Sequence, residues 1–88
     1  MYQINGEEHV LEWMRGASAE ECEAMLAWLP RLATDPEGAA TATRKRPGVP
    51  AYTAAVPGTI AFVDYTVVEQ YATILILRVS DQPLDAGA

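Results

Sequence analysis

Few residues in this chain could carry chemistry. His9 is its only histidine and Cys22 its only cysteine. His9 follows Glu7 and Glu8 in what reads as a first helical turn. A metal or general-base role there would need a second ligand or a nucleophile at a workable spacing, and neither is present. It reads as an ordinary surface or half-buried histidine. Cys22 falls on an apolar helical stripe and reads as a small core residue rather than a reactive thiol. A single cysteine excludes an internal disulfide framework and a cysteine-rich zinc site. Glu7, Glu8, Glu12, Glu20, Glu21 and Glu23 include neighbours that could act as an acid and base pair, yet a solvated helix face accounts for them. No catalytic residue, metal or cofactor is expected from this set.

Two charges stand out because they interrupt apolar strands, Asp64 and Arg78. If the connection between their strands sets position 64 opposite 78, the two face each other as a cross-strand pair. The ordinary reading is a structural ion pair, and the sharper one places Arg78 on a partner-binding surface. Tyr52, Tyr65 and Tyr71 have phenols that would line such a surface, or would simply pack their rings with hydroxyls at the edge. Arg44, Lys45 and Arg46 form the one dense basic cluster, either a solvated loop or a docking element for an acidic partner. Trp13 and Trp28 lie near the apolar stripes of their helices, and whichever is exposed would mark an interface.

The elements that must position these residues follow from local pattern. Met1–Ile4 reads as a short strand and Asn5-Gly6 as a turn. Val10, Leu11 and Met14 recur at helical spacing after Glu7, with Gly16 as the stop. Ser18-Ala19-Glu20-Glu21 has the capping-box form and starts a second helix with Cys22, Met25, Leu26 and Leu29 on one stripe. Pro30 should kink or end that helix, with Leu32 and Ala33 adding a turn before Asp35-Pro36-Glu37-Gly38 breaks it. From Ala39 to Pro50 the composition is that of a linker or exposed loop. Ala51–Val56 reads as a strand, Pro57-Gly58 as a turn, and Thr59–Val68 as a long β-branched strand. Glu69-Gln70-Tyr71 turns the chain. Thr73–Val79 is almost continuously apolar, as in a central strand buried on both faces. The expected architecture is α+β: one strand, a two-helix hairpin covering one face, and a three-stranded antiparallel meander, β-α-α-β-β-β. Residues 1–80 form a single domain and 81–88 a flexible tail.

Bulk composition bounds the function classes. The chain has 88 residues, 50% hydrophobic and 20% charged, which is globular rather than disordered. No apolar run approaches the roughly 18 residues of a membrane span, and no charged-then-apolar leader opens the chain, so a cytoplasmic location is expected. The net charge of −6 lies entirely in residues 1–38, where eight acids face Arg15 and Arg31. Residues 39–88 are balanced. A chain so charged is a poor general binder of nucleic acid, which needs several cations to displace counterions.

The element order and several strings together resemble the RelE/ParE superfamily of bacterial toxin–antitoxin toxins. Leu29-Pro30-Arg31-Leu32-Ala33-Thr34-Asp35-Pro36 looks like that family's helix end, and Arg44-Lys45-Arg46-Pro47-Gly48 like its basic loop. Val63-Asp64-Tyr65 is similar to its strand centre, and Ile74-Leu75-Ile76-Leu77-Arg78-Val79 to its final strand. The resemblance spans roughly residues 2–80. It departs from the ribonuclease members, which have an arginine near the position of Ala61 and basic or aromatic residues where this chain has Ser80-Asp81-Gln82. Phosphodiester cleavage needs cations to stabilise developing phosphorane charge. The resemblance therefore implies a toxin, or a non-toxic relative, that acts by binding protein and not by cutting RNA.

The implied partners are a cognate antitoxin, a cellular target protein and, for so small a core, a second copy. Arg44, Lys45, Arg46, Tyr52, Tyr65 and Arg78 are the expected partner-binding residues. The alternative is a self-associating structural or interaction module, suggested by the apolar Ile74–Leu77 run.

Overall fold

The computed structural model describes residues 1–44 and 51–81. The expectations for Lys45, Arg46 and the tail beyond Asp81 lie outside the described residues. Strand β1 (Gln3–Asn5) leads into helices α1 (Glu7–Arg15) and α2 (Ala19–Thr34), then a single-turn helix α3 (Pro36–Ala39). Strands β2 (Ala42–Arg44), β3 (Ala51–Ala55), β4 (Phe62–Val68) and β5 (Thr73–Ser80) follow. They form one sheet in the order β1-β5-β4-β3-β2. The expected meander is β3-β4-β5, all antiparallel, while β1 joins β5 in parallel and makes the sheet mixed.

Local signals explain most of the helical half. Gly6 sits at φ +86°, a left-handed conformation that favours glycine, and a Cβ there would press into the Ile76 carbonyl. That close approach lets α1 start directly beside β5. The Ser18 hydroxyl accepts from the Glu21 amide at 3.1 Å, and the Glu21 carboxylate accepts from the Ser18 amide, so the capping box forms in full. Pro30 lies inside α2 without ending it, and the helix runs on to bury Leu32 and Ala33.

Three expectations are corrected. Asp35 does not merely break the helix: its carboxylate accepts from the Gly38 amide at 3.0 Å and starts α3, with Pro36 at the first helical position. The stretch assigned to a linker contains a strand, β2, because pairing with β3 supplies the backbone partners that its sequence does not advertise. The strand expected from Thr59 starts only at Phe62, since the Thr59 hydroxyl donates to the Val56 carbonyl and accepts from the Ala61 amide, closing a loop over Thr59–Ala61.

The core lies between the helices and one sheet face, joining Val10, Met25, Trp28 and Leu32 to Ala54, Val63, Tyr65, Ile74 and Ile76. Trp28 is the buried tryptophan and Trp13 is half-buried. Tyr65, fully enclosed, stacks on Tyr52 with ring centroids 5.5 Å apart and donates its hydroxyl to the Pro36 carbonyl. Burial, with smaller contributions from Tyr52 and Asp35, pushes the Tyr65 phenol well above its usual range. The unfolded chain therefore sheds this proton first, from about pH 10 upward, while the folded chain retains it. Stability should be level below that pH and fall above it. Urea midpoints at about pH 9 and about pH 11 should differ by more in the wild type than in Tyr65→Phe. Some slope should remain in the variant, because burial also raises the Tyr52 phenol.

Candidate functional site: the outer sheet face and its Asp64–Arg78 pair

Strand alternation turns one set of β-residues toward the helices and the other toward the opposite face. On that outer face, register aligns Thr53, Asp64 and Arg78 in one row across β3, β4 and β5. Thr66 and Leu75 lie opposite each other in the next row, which continues through Ala51 to Arg44.

Asp64 is 1% exposed, an unusual place for a carboxylate. Its Oδ1 accepts from the Thr53 hydroxyl at 2.6 Å. Its Oδ2 lies 3.6 Å from Arg78 Nε and is compensated by that charge rather than by a hydrogen bond. Arg78 is further held by the Ser80 hydroxyl, which accepts from Nε at 3.3 Å and from Nη2 at 3.0 Å. The guanidinium, half-exposed, is thus gripped from two sides. It also borders a cavity of about 320 Å³ shared with His9, Glu12, Trp13 and Val79. The expected cross-strand pair therefore forms.

A bulge makes this possible. Pairing runs 64 to 78, then 65 to 76, leaving Leu77 as an extra residue on β5. Ile74 and Ile76 both point into the core, so strict alternation would send the residue two further on inward as well. The extra residue resets the phase. Arg78 joins Asp64 outside, and Val79 returns to the inner face opposite Val63. The constant register expected from sequence thus holds only from Phe62 to Asp64. The expectation that Thr73–Val79 is buried on both faces is also corrected, because Leu75 is 39% and Leu77 46% exposed. Among the described residues, no element stacks on their side of β5 as the helices do on the other.

The remaining expected partner-binding residues divide. Tyr65 belongs to the core and offers no surface, and Tyr52 stacks against it, half-buried, on the helix side. Tyr71 is exposed in the turn between β4 and β5, away from both. Arg44 ends β2 opposite Ala51. Ala61 is buried. Cys22 is half-buried, its thiol donating to the Met14 carbonyl at 3.4 Å. Sequence reasoning missed Thr53 and Ser80, whose hydroxyls fix the two charges. Their signal, a register partner of Asp64 and a neighbour of Arg78, needs the strand pairing to be seen. Among the described residues, no group of three or more His, Cys, Asp or Glu side chains could hold a metal ion. None of the helices described is long and apolar enough to cross a membrane.

No family model matches the chain, and no curated protein matches it either. Among solved structures, the isolated RelE toxin of E. coli superposes with a TM-score of 0.68, covering 98% of this chain and 90% of that one. The fold is RelE-like. Sequence identity to that toxin is 17%, so the likeness is one of fold, and it agrees with the fold implied by the sequence resemblance.

Removing the buried carboxylate strands the Thr53 hydroxyl and releases Arg78. Asp64→Ala should cost about 1–3 kcal/mol, and Asp64→Asn, which keeps an acceptor for Thr53, should cost less, as read from urea midpoints. Deleting Leu77, the extra residue, should be tolerated far better than deleting Leu75, since without Leu77 plain alternation still keeps Ile76 inward and Arg78 outward opposite Asp64, whereas loss of Leu75 turns Ile74 out of the core. We expect under about 2 kcal/mol for the Leu77 deletion, against about 3–5 kcal/mol or failure to fold for the Leu75 deletion, as read from urea midpoints.

Proposed function

We propose that this chain is the toxin-side protein of a toxin–antitoxin pair, or a relative that has lost toxicity, and that it works by binding protein rather than by cleaving RNA. The RelE-like fold supports the first part. One observation carries the second. Arg78, whose side chain is described on the outer face, is committed to Asp64 and Ser80, and its neighbours there are Thr53, Thr66, Leu75 and Leu77. Such a face suits a protein partner, which rewards apolar area and one oriented arginine. Among the described side chains it holds one held arginine, where stabilising a phosphorane takes several convergent cations. Arg78, with the Arg44–Arg46 cluster, is the anchor we assign to that partner, and the partners are a cognate antitoxin and a cellular target protein. The half-exposed Leu75 and Leu77 favour a second reading, self-association through the same face.

Tightly induced expression in a bacterial host tests both. The expected result is growth arrest with no new cleavage ends in ribosome-bound messenger RNA, relieved when Arg78→Ala is combined with neutralisation of Arg44, Lys45 and Arg46. New cleavage ends would overturn the protein-binding mechanism. Unimpaired growth together with a tight dimer by light scattering would favour the self-associating module.

A further inference from the structure

Helix α2 carries a buried donor and a cation that the fold leaves unused. Trp28 is 5% exposed, and among the described residues its indole N–H has no hydrogen-bond partner. A tryptophan so deeply placed normally finds an acceptor for that proton. The nitrogen is not sealed off, since the one buried side-chain polar atom without a hydrogen bond among the described residues is Asp64 Oδ2. The exposed sliver of Trp28 therefore includes its N–H. Arg31, one turn further along α2, is exposed, and among the described residues its guanidinium has neither a hydrogen bond nor an ion pair.

Both side chains line a groove of about 170 Å³ that also touches Asp35, Ala39 and Pro57. An apolar hollow of about 220 Å³ adjoins it, sharing Trp28, Arg31 and Pro57 and bounded further by Ala24 and Ala27. We infer that this groove binds a small aliphatic monocarboxylate. Its carboxylate is held by the Trp28 N–H and the Arg31 guanidinium, and its alkyl chain lies against Ala24, Ala27 and Pro57.

Four features select this chemistry. The unused groups at the polar end are donors, and one is a cation whose fork matches a planar carboxylate. Asp35 stands in the same groove, and its negative charge counts against a doubly charged phosphate. The adjoining hollow is walled by alanines and a proline, which reward apolar carbon over a second polar group. A water molecule takes about 30 Å³ in the liquid, so the groove suits a ligand of roughly half a dozen non-hydrogen atoms. The site shares no residue with the outer sheet face, so the inference goes beyond the protein-binding reading and does not depend on it.

The indole N–H is its own reporter. Two-dimensional NMR of the isotope-labelled full chain resolves its two indoles, and Trp13→Phe identifies the one belonging to Trp28. Titration with sodium butyrate, at fixed pH and with ionic strength balanced by sodium chloride, should move that proton downfield and saturate. The expected Kd is on the order of millimolar for so small a ligand. Acetate, lacking two methylenes, should bind several-fold more weakly. Butylammonium chloride and sodium phosphate should give no saturable shift. Arg31→Gln exchanges an exposed residue for another good helix former and should leave the remaining amide spectrum in place. It should weaken butyrate binding roughly tenfold or more, as loss of a charge-assisted bond does. Ala27→Glu, at a second exposed position, should weaken it too by repulsion, whereas Arg15→Gln should change nothing. No saturable shift, an equal response to phosphate, or an unchanged affinity in Arg31→Gln would overturn the inference. Equal affinity for acetate and butyrate would overturn it as well, by removing the apolar arm.

Discussion

The structure turns on the burial of β4 from both sides. Val63, Asp64, Tyr65 and Thr66 are consecutive and all buried, so the strand has no solvent on which to discharge a polar group. An unpaired buried hydroxyl or carboxylate would cost more than most single contacts supply. Each polar atom on β4 therefore dictates something elsewhere. The Tyr65 phenol requires a carbonyl, and α3 is set where that of Pro36 accepts it. Asp64 requires a donor and a cation, and these come from the strands on either side, Thr53 of β3 and Arg78 of β5.

The β5 bulge answers the same constraint. One strand must place Ile74 and Ile76 in the core and Arg78 on the far face, which a period of two cannot do. Inserting Leu77 as an unpaired residue satisfies both demands, and an extra leucine on the outer face is the consequence. The oriented arginine and the apolar residue beside it thus share one cause. Bulges of this kind recur where a side chain must be re-aimed.

A superposition with 17% identity shows how little of a sequence is needed to keep a fold. Apolar period, turn residues and caps suffice for the scaffold, and what a fold does depends on side chains grafted onto it. Here the grafted charges are asymmetric. The helical half is acidic, and the described side chains on the outer face of the sheet are mostly uncharged around one held arginine. These surfaces differ enough in chemistry that a single partner element would not suit both.

Much of this was legible in the sequence because it rests on contacts close along the chain. The turn at Asn5-Gly6, the Ser18–Glu21 capping box, both helices and the β3-β4-β5 meander all follow from residues within a few positions of one another. Cross-strand pairing of Asp64 with Arg78 was legible too, since a short turn limits the possible registers. What only the tertiary structure decided depends on partners distant in sequence. β2 exists because β3 accepts it, and Tyr65 is core rather than surface because α3 closes over its hydroxyl. The Ile74–Leu77 run is buried on one side only, since composition records how apolar a strand is but not how many layers cover it. The bulge at Leu77 was invisible for a related reason: register is a property of two strands together, and neither states it alone.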